Sequence, residues 1–410
     1  MANAARIEAD ILALKEISEP CAAGTTRVGF TSVYRQGAEF FKERMAQAGL
    51  VVREDSVGNV YGRLEGSQPD APVILSGSHL DTVRCAGAYD GVAGAVCALE
   101  VARMLRENGV TLRHPYEVMG VMEEEGTRFG QVLLGSKFVT GVFGEADLDR
   151  IKDETGTTLR QVLAEYAHPG AVPVRRGKEA CLAVLELHDE QGPVLEAEGI
   201  DVGIVERIVA ISWLTVTVTG FAGHAGTVPM PLRQDAAWAA CRLVDRILTH
   251  TKEQYARTAT ATVGKLGVLP GSSNCIPASC TFTVDLRSGE LATVEELTDY
   301  IRAQARAVEA ECDVTIDVQV GSKTAAIELD RHLREVLAQS CGALGITHRP
   351  LNSGAGHDAM VFSGHWPTAM LFVPCAKGVT HNPAEYVSPE QLARGADVLY
   401  QTILTLDRED

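Results

Sequence analysis

The chain has 410 residues, 46% of them apolar and 22% charged, with 54 acidic against 37 basic side chains and a formal charge of −17. That length exceeds what one core holds, so two domains are expected, and the composition leaves ample apolar material to fold them. The acidic surplus repels phosphate backbones and anionic lipid, which argues against nucleic acid and membrane surfaces as partners.

The opening stretch, MANAARIEADILALKEIS, sets early acids among helix-spaced Ile7, Ile11, Leu12 and Leu14, and reads as an amphipathic helix rather than a signal peptide. No apolar run approaches the ~20 residues of a membrane helix. The 10 cysteines form no CxxC pair, which suits free thiols in a reducing cytoplasm.

A second helix follows, with Ser32 as its expected cap and Ala38, Phe41, Met45 and Leu50 on the inner side. VVREDSVGNVYGRLEG alternates around Gly58 and Asn59, a hairpin signal. An apolar strand from Val73 then runs through small residues to His79 and Asp81, and a helix with Ala95, Leu99, Val101 and Leu105 on one side begins just after Asp90. The strand from Val118 to Met122 ends in Glu123, Glu124 and Glu125. A helix around Thr157 to Tyr166 leads to CLAVLELHDEQG, a strand closing on His188 with Gln191 just beyond.

From about Arg207 the rhythm changes to a βαββαβ order, expected as a four-stranded sheet backed by two helices. The earlier pattern resumes near Lys323, with a helix from Asp330 to Leu344, the loop NSGAGHDAMVFSG, the strand AMLFVP, GVTHNPAEYVS and a closing helix. The expected fold class is therefore α/β: a doubly wound mixed-sheet domain in two parts, 1–208 and 323–410, carrying an inserted α+β domain at 209–322.

His79, Asp90, Glu124, Glu125, His188 and His381 all fall at predicted strand or loop ends of one sheet, the pattern a two-metal hydrolase needs. Imidazoles with carboxylates suit zinc, manganese or cobalt, and Asp90 can bridge two ions about 3.5–4 Å apart. Two divalent ions are balanced by Asp90, Glu125, an ionised Glu124 and a bound hydroxide. A run of three glutamates is usually a solvated face. Here it follows a buried strand, and adjacent side chains at a strand end point different ways, so one can bind an ion while its neighbour handles protons.

The motifs GSHLDTV, YDGVAGAV, EEEGTRFG, ELHDEQGPVLE, GHAGTVPMPLRQDA, SGAGHDAM and HNPAEY span nearly the whole chain. Together they resemble the M20 metallopeptidase-like superfamily, and within it the hydantoinase/carbamoylase amidases. The resemblance implies a dinuclear metallohydrolase with His79 and His188 on separate ions, Asp90 bridging them, Glu125 and His381 completing the ligands, and Glu124 as general base. It makes Asp81 the carboxylate that fixes the His79 tautomer. It also implies a homodimer whose contacts lie mainly in the insert, which acts as a lid.

From the insert, the resemblance assigns His224 to the oxyanion, and Asn274 and Arg287 to the substrate, with Arg287 gripping a carboxylate by its planar fork. Gln191 and the loop at Gly354 to Gly356, Gly356 in particular, are further candidates for that pocket. Glu124 is expected to take the proton of the attacking water and return it to the leaving nitrogen. The expected substrate is an N-carbamoyl-L-amino acid, giving amine, carbon dioxide and ammonia. Allantoate or another ureido acid is the close alternative, favoured by SGAGHDAM, whereas Ile211, Ser212 and Trp213 look closer to the L-carbamoylases. A peptidase or aminoacylase is the second alternative, which His188 speaks against. Cys85, between two expected ligands, is read as a packing residue.

Overall fold

The computed structural model describes residues 1–166 and 171–409. The chain divides into two compact units, 1–206 with 329–410, and 207–328.

The first unit is built on a mixed sheet. Its strands run in the order Val51–Glu54, Val60–Leu64, Tyr116–Val121, Val73–His79, Cys181–Asp189, Thr368–Val373 and Val202–Ile208, with His348–Ser353 also paired to the last. The middle four, from Tyr116–Val121 to Thr368–Val373, are mutually parallel, and Val60–Leu64 and Val202–Ile208 flank them antiparallel, as Val51–Glu54 does Val60–Leu64. Every residue of Val73–His79, Tyr116–Val121 and Thr368–Val373 is buried, as expected of parallel strands covered on both faces.

Successive side chains supply two cores. Ile74, Val118 and Leu185 join the larger one with the helices Val92–Glu107 and Pro389–Glu409, while Leu75, Met119 and Val184 pack with Phe362 and Trp366. Four parallel strands thus end along one edge, where an α/β sheet gathers its functional groups.

One local expectation shifts, and the expected hairpin forms between Val51–Glu54 and Val60–Leu64. The second helix is capped by Thr31, whose hydroxyl accepts the Tyr34 N–H, and Ser32 is its first residue. The hairpin turn is tied by Asp55, whose carboxylate accepts the N–H groups of Val57 and Asn59, the Asn59 amide and the Tyr61 hydroxyl.

The second unit carries an antiparallel sheet in the order Leu266–Leu269, Ser279–Ser288, Ala210–Thr219, Thr315–Thr324, with Ala259–Thr262 paired to the far end of Ser279–Ser288. The four-stranded expectation becomes five strands because ATATVGKLGVL is broken around Gly264, and each half pairs with a different end of one neighbour. Leu214, Val216, Phe282 and Val284 face the helices Ala236–Gln254 and Leu291–Cys312 through Leu243, Ile247, Leu297 and Ile301. The last strand runs to Thr324, so the unit closes beyond the 322 boundary read from the sequence. Among the described residues no helix is long and apolar enough to cross a membrane.

Candidate metal and active site

The loops leaving the four parallel strands converge on Asp90. The strand Val73–His79 ends in His79, and Asp90 stands two residues before the helix Val92–Glu107. Gly91 between them holds φ +67°, and a Cβ there would lie 2.4 Å from the His79 ring, so only glycine fits. Cys181–Asp189 delivers His188, and the segment after Thr368–Val373 delivers His381.

Two groups of donors share the Asp90 carboxylate. The Nε2 atoms of His79 and His188 lie 3.4 and 3.2 Å from Asp90 Oδ1. His381 Nε2 lies 3.0 Å from Asp90 Oδ2 and 3.3 Å from Glu125 Oε1. In each group the ligand atoms fall within 4.8 Å of one another. The resemblance had put His79 and His188 on separate ions, but the geometry pairs them. Their strands are parallel neighbours whose ends meet the same Asp90 oxygen, while Glu125 and His381 arrive at the other.

The donor set fits cations. The Nδ1 atoms of His79 and His188 lie 3.0 Å from the carbonyls of Asp81 and Asp189, and a carbonyl only accepts, so these nitrogens carry the hydrogen. Each Nε2 then turns a lone pair toward a carboxylate oxygen, and Gly91 N–H donates to that of His188 at 3.3 Å. Acceptor facing acceptor is unfavourable unless a cation, metal or proton, lies between. Burial alone lowers the pKa of His79, but Glu124, Asp90 and Asp81 lift it well above the usual range. His188 behaves likewise through Asp189 and Asp90. Hydrogen bonds to Asp90 and Glu125 raise His381 to about 10.

Asp81 does a different job from the one expected. Its backbone oxygen holds the His79 tautomer, whereas its carboxylate lies 3.7 Å from Nδ1. The two carboxylate oxygens instead accept the N–H groups of Glu124 and Glu125, at 3.0 and 3.1 Å. That clasp splays the neighbouring glutamates. Glu124 is 8% exposed with Oε2 3.8 Å from His79 Nε2, while Glu125 faces His381. Burial first, then Asp358, Glu125 and Asp81, pushes the Glu124 carboxyl well above its ordinary value against the opposing pull of His79.

Several residues that sequence reasoning missed support this centre. Glu385 accepts the N–H groups of Tyr89 and Asp90 at 2.8 and 3.2 Å, and the Thr380 hydroxyl lies 3.0 Å from both Glu385 and Asp90 Oδ2. Its signal was the acid in HNPAEY, four residues after His381. Glu186 accepts from Ser78 and from the Ala359 N–H. The His357 ring packs 4.6 Å from that of His188. Glu123, Gln191 and His381 hold φ of +54°, +56° and +53°, strained conformations that cluster where surroundings dictate them.

Among the expected substrate residues, Gln191 lies at the centre, its amide donating to Asp90 Oδ2 at 3.1 Å. Gly356 directly precedes His357. In the insert, exposed His224 is paired in register with Cys275, and Ala225 N–H donates to the Asn274 carbonyl, so His224 and Asn274 sit together. Arg287 lies on the strand Ser279–Ser288, toward the end away from that pair, its fork on Asp285 at 3.0 and 2.8 Å. Cys85 is half-buried with φ +54°, its N–H on the Thr26 hydroxyl.

Residues 75–405 match the model of peptidase family M20/M25/M40. The chain belongs to that family. It is 39% identical over 409 residues to an N-carbamoyl-L-amino-acid amidohydrolase of Paenarthrobacter aurescens, covering 99% of both chains. It is 35% identical over 381 residues to an allantoate amidohydrolase of Escherichia coli, covering 92% of each. A solved amidase of the hydantoinase/carbamoylase family from Burkholderia multivorans superposes with a TM-score of 0.93 at 32% identity, over 99% of this chain and 98% of that one. This member of the M20/M25/M40 family is thus a metallohydrolase on the amidase side of it.

Proposed function

We propose that the chain is an amidohydrolase that cleaves the ureido C–N bond of an N-carbamoyl-L-amino acid, giving the amino acid, carbon dioxide and ammonia. The observation that carries this reading is the pair of donor groups sharing Asp90, with a buried Glu124 beside them. The likeness to the Paenarthrobacter aurescens amidohydrolase supports the substrate class. Two divalent ions, zinc, manganese or cobalt, suit the donors, one with His79 and His188 and one with Glu125 and His381. When bound they supply Lewis acidity toward a carbonyl and acidify water.

Glu124 is the general base. A carboxylate disfavoured as an anion by burial and by neighbouring acids takes a proton from water more readily than an exposed one, and can return it to the leaving nitrogen. Gln191 and the backbone at Gly356 orient the substrate. From the insert, His224 stabilises the developing oxyanion, Asn274 donates to the substrate and Arg287 holds its carboxylate.

The protein acts as a homodimer through its insert on this reading. Arg287 is eight residues along its strand from Ser279, about 26 Å at ~3.3 Å per residue, and Ser279 ends the strand nearer Asn274 and His224. One insert therefore cannot bring all three to a small acid, which supports a second copy supplying His224 and Asn274. Mixing His224→Ala with Glu124→Gln chains should then restore activity that neither has alone. The ten unpaired thiols support a cytoplasmic setting.

The deciding experiment measures ammonia release from N-carbamoyl amino acids, allantoate, ureidoglycolate and dipeptides after reconstitution with each metal. Turnover of N-carbamoyl-L-amino acids above the others upholds the reading. Dipeptide cleavage without ammonia release from any ureido acid overturns it. The second reading, an allantoate amidohydrolase, is supported by the likeness to the Escherichia coli enzyme and is separated by the same panel.

A further inference from the structure

The outer face of the insert's sheet, away from its helices, is lined largely by hydroxyls. Thr215, Thr217 and Thr219 alternate with buried residues on Ala210–Thr219, as Thr281 and Thr283 do on Ser279–Ser288. Trp213 stands among them, 55% exposed. A single exposed aromatic needs no explanation. This one has a fixed orientation and a chemically specific neighbour.

Trp213 is the direct register partner of Asp285, and its indole N–H donates to Asp285 Oδ2 at 3.0 Å. The same carboxylate receives the Arg287 fork, Nε on Oδ1 at 3.0 Å and Nη2 on Oδ2 at 2.8 Å. Arg287 points to the same face, diagonal to Trp213 across the strand pair. Asp285 therefore fixes the planes of a guanidinium and an indole side by side.

We propose that Trp213 is a specificity-determining residue, its indole receiving the side chain of an N-carbamoyl-L-amino acid whose carboxylate Arg287 holds, and so selecting aromatic and large apolar amino acids. The inference rests on the reading of Arg287 as the carboxylate anchor. In an α-amino acid the carboxylate and the side chain branch from one carbon, so a substrate gripped by Arg287 carries its side chain to the neighbouring ring. An aromatic side chain stacks on the indole and leaves water. Allantoate presents a second polar ureido group at that carbon and gains little from it. Asp285 is a positioning residue, acting through the two groups it holds.

The test compares kcat/KM for N-carbamoylglycine, N-carbamoyl-L-phenylalanine and allantoate in metal-loaded wild type, Trp213→Ala and Trp213→Phe. The wild type should prefer the phenylalanine substrate to the glycine one by about tenfold or more, the scale of one well-filled apolar contact. Trp213→Ala should remove about that factor for the phenylalanine substrate and leave N-carbamoylglycine within about twofold. Trp213→Phe, which keeps a stacking ring, should restore most of the preference, and none of the variants should shift the thermal midpoint, because the side chain is exposed. Equal losses on the glycine and phenylalanine substrates, or a wild-type preference for allantoate, overturn the inference while leaving ureido hydrolysis intact. A wild type releasing ammonia from no ureido acid overturns the functional reading, and this inference with it.

Discussion

Replacing Asp81 by asparagine separates two roles that the sequence merged. Asp81 is 0% exposed, and its two oxygens each accept one N–H, from Glu124 at 3.0 Å and from Glu125 at 3.1 Å. Asparagine keeps the shape but offers one acceptor and one donor, so one of those buried N–H groups must face another donor. A hydrogen bond to a charged acceptor contributes about 1.5–3 kcal/mol, and a stranded buried N–H costs roughly 1–3 kcal/mol. A total near 3 kcal/mol, at about 1.4 kcal/mol per tenfold, corresponds to a fall in kcat of roughly 100-fold if it all comes from positioning Glu124 and Glu125. The His79 Nδ1 contact is to the Asp81 backbone carbonyl and survives the substitution. On the proposed two-ion reading, an ion between His79 and His188 should therefore keep its affinity, while one between Glu125 and His381 should weaken by about 10–100-fold. Ammonia-release kinetics with metal titration against a competing chelator reads both. An unchanged kcat, or selective loss of the ion at His79, would refute the clasp.

Gly91→Ala forces a Cβ to 2.4 Å from the His79 ring at φ +67°. Left-handed strain of about 1–2 kcal/mol joins a displaced ligand, so metal affinity should fall about 10–100-fold while circular dichroism stays native; unaltered chelator competition would contradict this. His381 in the metal-free fold titrates near 10 through its bonds to Asp90 and Glu125, so it is protonated at neutral pH and a cation must expel that proton. Affinity should rise with pH toward 10, and calorimetry in buffers of different ionisation heat should detect proton release. The sign for stability is opposite. The His381 contribution is complete below its unfolded pKa of about 6.5 and is lost as pH rises through 10, so the metal-free melting temperature should lose that support over the interval. Asp235→Ala removes the cap that accepts the N–H groups of Ala237 and Trp238, both at 3.0 Å. Denaturant unfolding should show a loss of about 1 kcal/mol without change in metal binding.

His79, Asp90, Glu124, Glu125 and His188 were legible as candidates because each stands at or just past the end of an apolar strand or just before a helix, whereas His381 lies in the loop eight residues beyond Val373. The strand Val73–His79 is buried throughout, so its run of apolar and small residues announces it, and the polar residues that follow must be where the chain leaves the core. What the sequence did not carry was pairing. Whether His188 shares an oxygen with His79 depends on Cys181–Asp189 lying directly beside Val73–His79, which no local pattern reports. The roles of Asp81 and Glu385 were hidden for a related reason: both act on backbone N–H groups of residues that carry the chemistry, and every residue but proline has the same N–H. The break near Gly264 was the reverse case, a glycine in plain view inside a run that otherwise alternated like one strand.

One strand shows why the acids at its end read as functional. Glu117, the second residue of Tyr116–Val121, is completely buried, and Arg53, Arg63 and Arg176 meet its carboxylate at 2.7, 3.2 and 2.7 Å. Burial pushes its pKa up, but Arg176 and Arg53 outweigh that and hold it below the usual range. Seven residues on, Glu124 is nearly as buried and is raised instead, because Asp358, Glu125 and Asp81 reinforce burial and His79 is the main opposing charge. Other acids around the centre follow: Glu123 and Asp358 each rise to about 8 and Glu385, beside Asp90, to about 7, with burial the first cause in each case. Three arginines make Glu117 a structural ion pair with its charge spent. An arginine placed equally close to Glu124 or Asp90 would spend theirs too, and would exclude by repulsion the cation the histidine lone pairs are turned to receive. The same sheet thus meets its acid with arginines at one end and its acids with imidazoles at the other, where the donors a cation needs converge.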